Sequence, residues 1–308
     1  MLSKTKEANG MENSVKVSIV FSNCNGGKEP IECLSSIKKL SYPKKSIETI
    51  VVDNGSTDGS PEKILRKFPQ VKLIRLKKAT GLPASLNLGI KKSKGKYIFI
   101  GNDDILFSKN SIGLMIDYLE KNKDVGILGG KVYYKDRPNK LTDSALNYNF
   151  YLGTLKKPKS KKEIAYLQSC SIMIPREVFK KIGLFDDGFY PLYFDDFDLS
   201  LRAKSANFKI RYLKKAVFWH GCGKTTEKAP NNKRYYWWYR NKIRFMIKNA
   251  SPLQTFSFLT FQLITVGIKS IFERKNLLPI IAAALIENLK LYQKTVKSRK
   301  MDFKNGFR

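Results

Sequence analysis

Several residue types and patterns are scarce in this chain of 308 residues, and each scarcity excludes a class of protein. The sequence contains one histidine and four cysteines, and no two cysteines form a CxxC pair. We therefore expect neither a cysteine-based zinc site nor a disulfide framework, but reduced thiols in a cytosolic protein. The first residues, MLSKTKEANG, lack the apolar stretch of a signal peptide, which also predicts a cytoplasmic location.

Two nucleotide-binding signatures are also missing. The loop after the first predicted strand has no GxGxxG pattern, which disfavours a nicotinamide-dependent dehydrogenase. The run Gly221–Thr225 (GCGKT) ends like a P-loop, but the complete GxxxxGK[ST] motif requires glycine at position 218, where this chain has Phe218. A Walker-type nucleotide site is therefore excluded.

Acidic residues are few relative to basic ones. The chain has 26 Asp+Glu and 58 Lys+Arg, which gives a formal net charge of +32. Such an excess indicates an anionic partner: nucleic acid, an anionic membrane surface or a phosphorylated substrate. With 42% hydrophobic and 12% aromatic residues the chain can bury a substantial core, which excludes global disorder.

The first hundred residues alternate between apolar runs and segments with helical spacing of apolar residues. The predicted strands are Val15–Phe21, Ile47–Val52, Val71–Leu76 and Lys96–Ile100, and the predicted helices are Glu29–Leu40, Pro61–Phe68 and Pro83–Ser93. Near-continuous apolar strands that alternate with helices are typical of a parallel sheet covered on both faces. The pattern predicts an α/β, doubly wound nucleotide-binding half, whose ligands bind beyond the carboxyl ends of the strands.

Polar residues follow the strand at Lys96–Ile100 abruptly, as Gly101-Asn102-Asp103-Asp104. Unpaired buried charges are costly, so these carboxylates are not packing residues. They can bind a hard divalent cation that also binds substrate phosphates. The alternative is an acidic cluster at a helix N-terminus, favoured by the helix dipole.

Two further acidic segments are candidates. Asp53 follows the second strand and can accept hydrogen bonds from a base or a ribose, although Asp-Asn-Gly-Ser is also ordinary turn chemistry. Asp195-Asp196-Phe197-Asp198 follows an aromatic run, and grouped carboxylates in apolar surroundings suit one of them to general-base catalysis. The alternative there is helix capping by Asp195 or Asp196.

The single histidine, His220, ends the predicted strand Lys209–Trp219. An imidazole there can complete a metal shell with Asp104. A lone histidine is more often structural, so this position is a weak signal by itself.

Six segments in collinear order resemble the inverting family 2 glycosyltransferases with a GT-A fold, in particular the rhamnosyltransferase-like branch. The segments are VSIVFSNCNG at 17–26, VVDNGSTDGS at 51–60, GLPASLNLGIKKSKGKYIFIGNDD at 81–104, SCSIMIPREVFKKIGLFDDGFYPLYFDDFDLSLRAK at 169–204, KAVFWHGCG at 215–223 and YYWWYRNKIRF at 235–245. Each motif alone is weak, but six in order are specific. Cys24 stands where the family commonly has an aromatic residue, and Asp195 replaces the usual glutamate.

The resemblance implies a mostly parallel central sheet with flanking helices and a C-terminal helical extension. The implied GT-A domain spans 15–250, with a nucleotide-binding half at 15–104 and an acceptor and catalytic half at 105–250. We expect a disordered tail at 1–14 and a helical, membrane-associated tail at 251–308.

The resemblance also implies roles for individual residues. Asp196 matches the catalytic base, while Asp104, the last acid of a DxD-type motif with Asn102 in place of its first acid, matches a metal ligand together with His220. The implied nucleotide-binding residues are Asn23, Asn25, Asp53, Ser56, Asn87, Asn102 and Asp103, and the implied acceptor-side residues are Asp195, Tyr193 and Trp219.

The expected activity is transfer of a sugar from a UDP- or dTDP-linked donor to a glycan or lipid-linked acceptor, dependent on Mn²⁺ or Mg²⁺. Two alternatives stay open: a basic nucleic-acid-binding protein, indicated by the aromatic and basic run Lys233–Arg244, and an inactive sugar-nucleotide-binding homologue. The run Pro252–Ile268 is short for a spanning helix and contains two glutamines. It is predicted to pack on the domain or to lie in the interface of an anionic membrane, with Phe256 and Val266 on one face.

Overall fold

A mixed β-sheet lies at the centre of the molecule. The computed structural model describes residues 15–159, 164–222, 229–272 and 277–304, so the predicted tail at 1–14 lies outside the described residues. Within these ranges the sheet has eight strands in the order β3-β2-β1-β4-β10-β6-β11-β5. These strands are β1 (Val17–Asn23), β2 (Ile47–Asp53), β3 (Lys72–Arg75), β4 (Tyr97–Asn102), β5 (Ile105–Phe107), β6 (Val125–Tyr134), β10 (Ser171–Pro175) and β11 (Lys209–His220).

The nucleotide-binding half matches the alternation read from the sequence. β3, β2, β1 and β4 run parallel, and the helices between them are α1 (Glu29–Lys38), α2 (Ser60–Lys67) and α3 (Leu82–Lys92). Apolar clusters cover both faces of the sheet, one around Phe99 and the other around Ile100. Neighbouring residues of one strand thus lie in opposite cores, which explains why this strand is a continuous apolar run.

The second half contains antiparallel insertions that the apolar pattern did not predict. β10 lies antiparallel between β4 and β6, and β5 pairs antiparallel with the end of β11. β5 is only three residues long, and the sequence reading had placed no strand there. Its pairing matters for function, because it brings Ile105 opposite His220.

Smaller elements surround the far half of the sheet. The helices are α4 (Ser111–Lys121), α5 (Arg176–Ile182) and α6 (Asp195–Ser205), and a separate small sheet contains β7 (Ala145–Asn149), β8 (Thr154–Lys156) and β9 (Tyr166–Leu167). β8 begins the lysine-rich stretch 154–162, and its three residues are too few to show an alternating pattern in the sequence. Residues 160–162 of this stretch lie outside the described residues.

Four helices follow the sheet: α7 (Asn231–Asn249), α8 (Pro252–Phe272), α9 (Leu278–Lys290) and α10 (Tyr292–Lys304). α9 and α10 both contact α7, which packs in turn on the aromatic residues before α6. Within the described residues, no helix combines the length and the apolar character needed to cross a bilayer. Phe256 and Val266 were predicted to share one apolar face of this helix. In the structure Phe256 is exposed and Val266 is buried, so the two residues lie on different sides of α8.

A buried ionic network ties these helices to the segment before α6. Lys248 of α7 contacts Asp186 at 2.9 Å and Asp198 at 2.8 Å, and Arg244 contacts Asp186 at 3.0 Å. From α10, the hydroxyl of Ser298 donates to Asp186 at 2.9 Å. Lys248 and Arg244 hold the pKa of Asp186 well below its usual range, although burial opposes this. Charges buried this deeply are stable only when all partners are in place.

Candidate functional site

Polar side chains meet at one edge of the sheet, where three parallel strands end. In the strand register Asn23 lies beside Asp53, and Ser22 lies beside Asn102. Carboxyl ends of parallel strands share an edge, so residues that are far apart in sequence become neighbours there. The structure therefore brings together the strand-end residues that the sequence predicted.

The first group forms a hydrogen-bonded loop cluster. The Asn23 amide Nδ2 contacts Asp53 Oδ1 at 3.2 Å and Ser56 Oγ at 3.0 Å. Asn25 Oδ1 accepts from the backbone N–H of Thr57 at 2.7 Å. The N–H of Ser56 donates to Asp53 Oδ1 at 3.3 Å, so this segment also forms the turn that was the alternative interpretation of its sequence. The two loops after β1 and β2 are held together as one rim.

The acidic end of β4 lies against the end of β11. Asp104 Oδ1 is 3.0 Å from His220 Nε2, and the amide of Asn102 is 2.9 Å from the same nitrogen. On the other side of the ring, Nδ1 lies 3.2 Å from the sulfur of Cys222. Asp104 and His220, which are far apart in sequence, thus converge through the antiparallel pairing of β5 with β11.

Two carboxylate oxygens at this edge are not satisfied by hydrogen bonds. Within the described residues, the buried atoms Asp103 Oδ2 and Asp104 Oδ1 accept no hydrogen bond of acceptable geometry. Burial, followed by the charge of Asp104, raises the pKa of Asp103 to about 8. Burial alone lowers the pKa of His220, but Cys170, Asp104 and Cys222 outweigh it and hold this pKa well above its usual range. Unsatisfied carboxylate oxygens beside an imidazole are what a cation would neutralise.

The donor set fits a divalent cation that is shared with substrate. No group of three or more His, Cys, Asp or Glu side chains in the described ranges is arranged to hold a metal alone. Mg²⁺ is commonly held by one or two carboxylates, with phosphate oxygens and water completing the shell, and an imidazole also suits Mn²⁺. Asp104 and His220 match that smaller requirement.

A cleft of about 670 Å³ opens above this edge. Among its walls are five residues predicted from the sequence: Asn102, Asp103, Asp104, Tyr193 and His220. Six other lining residues were not predicted: Ser22, Asn54, Gly81, Gln168, Tyr190 and Trp237. Asn54 and Ser22 adjoin predicted residues, so the strand-end argument could have found them, whereas Trp237 comes from α7 and no local pattern indicates it.

Gly81 shows why one wall of the cleft is closely packed. Its φ is +86°, and a Cβ there would lie 2.7 Å from the Tyr190 ring and 3.2 Å from the backbone of Pro191. Only glycine accommodates both the left-handed backbone and this close approach. The residue thereby positions the aromatic wall against the loop that precedes α3.

The candidate base lies at the start of α6. Asp196 Oδ2 accepts from the N–H of Ser169 at 3.3 Å, and Oδ1 accepts from the N–H of Phe197 at 2.9 Å. Ser169 adjoins Gln168, which lines the cleft, as does Tyr193 three residues before Asp196. Burial raises the pKa of Asp196 to about 6. This carboxylate is the one whose pKa lies near the range that suits a base.

Its neighbour Asp195 is buried more deeply. Burial, followed by the charge of Asp196, raises the pKa of Asp195 well above its usual range. Its Oδ2 accepts no hydrogen bond from the described residues. The helix α6 begins at Asp195, so Asp195 and Asp196 both lie in its first turn. The N-terminal location predicted as the capping alternative is therefore also present.

Eight of the predicted residues do not line the cleft: Asn23, Asn25, Asp53, Ser56, Asn87, Asp195, Asp196 and Trp219. The side-chain amide of Asn87 donates to the backbone C=O of Phe185 at 2.8 Å and accepts from the backbone N–H of Phe185 at 3.0 Å. Trp219 precedes His220 in β11, and successive strand residues point to opposite faces. The structure thus uses Asn87 to join α3 to the segment before α6, and places Trp219 on the side away from His220.

Asn54 is expected to stabilise the cleft rim. Its Oδ1 accepts from the N–H of Thr80 at 2.8 Å and from the Thr80 hydroxyl at 3.1 Å, and its side chain is buried. Asn54→Ala should lower the free energy of unfolding by about 1–3 kcal/mol, because it leaves the donors of Thr80 unsatisfied. Urea denaturation measures the change, and the exposed Asn139→Ala is the control. Equal stability of the two variants would contradict a role in the rim.

The sequence was compared with known protein families and proteins. The profile described as Glycosyl transferase family 2 matches residues 18–183. The chain belongs to glycosyltransferase family 2. A related family 2 protein is an uncharacterized glycosyltransferase of Rickettsia prowazekii, 31% identical over 226 residues, which are 71% of this chain and 69% of that protein.

Other relatives differ more in length or identity. An uncharacterized glycosyltransferase of Rickettsia typhi is 32% identical over 65% of this chain, and the match spans 63% of that protein. The N-acetylglucosaminyl-diphospho-decaprenol L-rhamnosyltransferase of Mycobacterium tuberculosis is 20% identical over 69% of this chain and 83% of its own length. This family 2 glycosyltransferase is thus distantly related to a rhamnosyltransferase, as its motifs indicated.

Solved structures show the fold. Staphylococcus aureus TarS 1–349, in complex with UDP-GlcNAc, has a TM-score of 0.62 and 18% identity, over 95% of this chain and 89% of that one. The mannosyltransferase PcManGT of Pyrobaculum calidifontis, in complex with GDP-Man and Mn²⁺, has a TM-score of 0.58 and 17% identity, over 94% and 84%. The predicted GT-A fold, with its mostly parallel sheet, flanking helices and C-terminal helical region, is confirmed.

Proposed function

We propose that this family 2 glycosyltransferase inverts the anomeric centre while moving a sugar from a nucleoside-diphosphate donor to an acceptor hydroxyl, with a divalent cation. The observation that carries the proposal is the convergence of Asp104 and His220, 3.0 Å apart, in a cleft that is also lined by Gln168 and by Tyr193, three residues before Asp196. This arrangement supports a site for the leaving diphosphate at Asp104 and a nearby base for the incoming hydroxyl.

Asp104 and His220 are the residues that would hold Mn²⁺ or Mg²⁺. When bound, the cation neutralises charge on the leaving nucleoside diphosphate. The presence of Mn²⁺ and GDP-Man in PcManGT supports this assignment. Asp103 is assigned to the turn beside the nucleotide. Its pKa, about 8, would be lowered by a cation bound nearby.

The donor nucleotide is proposed to bind along the rim made by the loops after β1 and β2. Asn23, Asn25, Asp53 and Ser56 form that rim, and Asn102 continues it toward the cation site. A carboxylate at such a strand end can accept from a base or ribose hydroxyl. We propose a UDP- or dTDP-linked donor, and UDP-GlcNAc in TarS supports a uridine nucleotide.

Asp196 is proposed to remove the proton of the acceptor hydroxyl, which then attacks from the face opposite the leaving group. Its carboxylate is oriented by the N–H groups of Ser169 and Phe197. Asp195 and Tyr193 are assigned to the acceptor side. Trp219 keeps its acceptor-side assignment only as a prediction, as does the nucleotide-binding role of Asn87.

The acceptor is proposed to be a glycan or a lipid-linked glycan. The M. tuberculosis relative, whose name identifies a diphospho-decaprenol acceptor, supports the lipid-linked class. We propose a cytoplasmic enzyme attached peripherally to the cell membrane, where such acceptors are exposed. The net charge of +32 favours binding to an anionic surface or to phosphorylated substrates. These two partners account for the charge without nucleic acid.

A thermal-shift series tests the nucleotide site. UDP, dTDP and GDP are added to the protein with and without Mn²⁺, and one nucleotide is expected to raise the melting temperature more with Mn²⁺ than without it. Binding to the folded state alone stabilises by RT ln(1 + [L]/Kd), so about 2.7 kcal/mol is expected at a hundredfold excess over Kd. Adenosine and inorganic phosphate are the controls. No nucleotide-dependent shift would contradict the proposal, and a shift without sugar transfer would indicate an inactive homologue.

A further inference from the structure

The outer side of α8 carries a row of large apolar side chains. Its large exposed side chains are Leu253, Phe256, Leu263, Ile264 and Ile268, and Phe256 is 71% exposed. At 100° per residue these positions fall within one face of the helix. Exposed apolar residues are normal when they are scattered, but a row of five on one helix indicates an interaction surface.

α9 has a similar outer side. Its exposed residues are Leu278, Pro279, Ala282, Ala283, Ile286, Leu289 and Lys290, all apolar except the last. Leu289 is 72% exposed. Two consecutive helices thus leave apolar side chains uncovered.

The inner sides of both helices are fixed to the rest of the protein. In α8, Phe258 is fully buried, and Gln262 Oε1 accepts from Lys242 of α7 at 2.9 Å. Val266 of α8 packs in one cluster with Ile281 of α9. The helices therefore do not need their outer sides to stay folded, and these sides are available for another partner.

Charge on these helices indicates what that partner is. The two acidic residues of α9 and α10 pair with buried bases: Glu287 with Arg240 at 3.0 Å, and Asp302 with Lys248 at 3.2 Å. In α10 the exposed residues Lys294, Lys297 and Lys300 follow one another at three-residue intervals, on neighbouring positions of one helix face. Among the described residues of α8, α9 and α10, apolar stripes are combined with exposed lysines, and both acids are paired, a combination that complements the interface of an anionic bilayer.

We propose that the outer sides of α8 and α9, together with the lysine row of α10, form a membrane-docking surface for an anionic phospholipid bilayer. Large apolar side chains enter the boundary between headgroups and acyl chains, and the lysines contact lipid phosphates. This inference rests on the proposed function, in which the acceptor belongs to the lipid-linked class.

The position of the surface relative to the cleft is consistent with such an acceptor. Tyr235 and Tyr239 pack against the cluster that joins α8 to α9, and both line a second pocket of about 380 Å³. Tyr193 lines this pocket and also the main cleft. The second pocket thus shares Tyr193 with the main cleft and lies beside the helices that carry the docking surface.

Vesicle flotation tests the docking surface. The protein is mixed with vesicles of pure phosphatidylcholine, or of an equimolar mixture with phosphatidylglycerol, and is expected to float only with the mixture. Phe256→Ser combined with Leu263→Ser should weaken binding more than about tenfold, since each buried methylene contributes about 0.8 kcal/mol. Lys294→Gln, Lys297→Gln and Lys300→Gln together should also weaken it more than about tenfold, at about 1 kcal/mol for each lysine.

Matched controls remove an exposed apolar side chain and three exposed lysines outside the docking surface. Leu65→Ser changes an exposed leucine of α2, and Lys38→Gln, Lys39→Gln and Lys45→Gln together remove three exposed lysines near β2. Both controls should float like the unaltered protein. The nucleotide-induced thermal shift of every variant is recorded as well, so loss of folding or of the nucleotide site is distinguished from loss of docking.

Three results would overturn the proposal. They are no flotation of the unaltered protein, equal flotation of the docking variants and the controls, and a dimer in light scattering that the Phe256→Ser and Leu263→Ser pair converts to monomer. The last result would assign the surface to a second copy of the chain. Flotation without any nucleotide-induced shift would keep the docking surface and reject the proposed function.

Discussion

Replacing Asp196 by asparagine is expected to lower turnover by about 10²-fold or more while leaving donor binding nearly intact. The amide keeps the size of the side chain and can still accept from Ser169, but it cannot take a proton from the acceptor hydroxyl. Single-turnover sugar transfer measures the loss, and the nucleotide-induced thermal shift measures binding. Equal turnover in the variant would reject Asp196 as the base.

The pH profile provides a second readout of the same prediction. Burial raises the pKa of Asp196 to about 6, and only the ionised form is a base. Turnover of the unaltered enzyme should therefore be constant above this pH and fall about tenfold per unit below it. Asp187→Asn, an exposed acid of the same segment, is the control and should keep both the rate and the profile. A profile that stays flat down to pH 4 would contradict a base with this pKa.

Asp104→Asn is expected to lower turnover by about 10³-fold and to abolish the part of the nucleotide-induced thermal shift that depends on Mn²⁺. A metal ion contributes several kcal/mol of charge stabilisation in the transition state, and each 1.36 kcal/mol is tenfold in rate. The carboxylate is buried 3.0 Å from His220, so its loss leaves the imidazole as the one assigned ligand.

Two further variants sharpen this prediction. Asp103→Asn should retain the Mn²⁺-dependent shift, because we assign Asp103 to the turn and the nucleotide rather than to the cation. Asp117→Asn, an exposed acid of α4, should behave like the unaltered protein. The metal assignment is wrong if Asp104→Asn still shows the full Mn²⁺-dependent shift, or if Asp103→Asn loses it and Asp104→Asn does not.

The strand ends of the site could be predicted because each follows a long apolar run. The ends of these strands, 50–53 and 97–101, are buried on both faces, so their apolar residues are consecutive and the change to polar residues is sharp. Once strands are known to be parallel, residues at those ends become neighbours without any knowledge of side chains. The residues alone gave the pairing of Asp104 with His220 only as a weak signal, which the family resemblance strengthened, because the pairing depends on a strand of three residues, Ile105–Phe107.

Other features depend on tertiary contacts that leave no local pattern. Trp237 lines the cleft because α7 packs beside it, and in the sequence this residue is one of a run of aromatics whose directions are not distinguishable. Asn87 has the residue type of a binding group, yet its amide is occupied by the backbone of Phe185. Residue type alone does not separate an amide that binds ligand from one that joins two loops.

The ionic network has a consequence for the order in which the enzyme is assembled. Asp186, near the start of the segment that leads to the base, is bonded by Ser298, which lies 112 residues later in the chain. Chains fold from the N-terminal side during synthesis, so the nucleotide-binding strands can pair early. The base segment must wait for Lys248 and then for α10 before its buried aspartates are neutralised. A nascent chain would thus complete its parallel strands well before it completes the segment that carries Asp196, the proposed base.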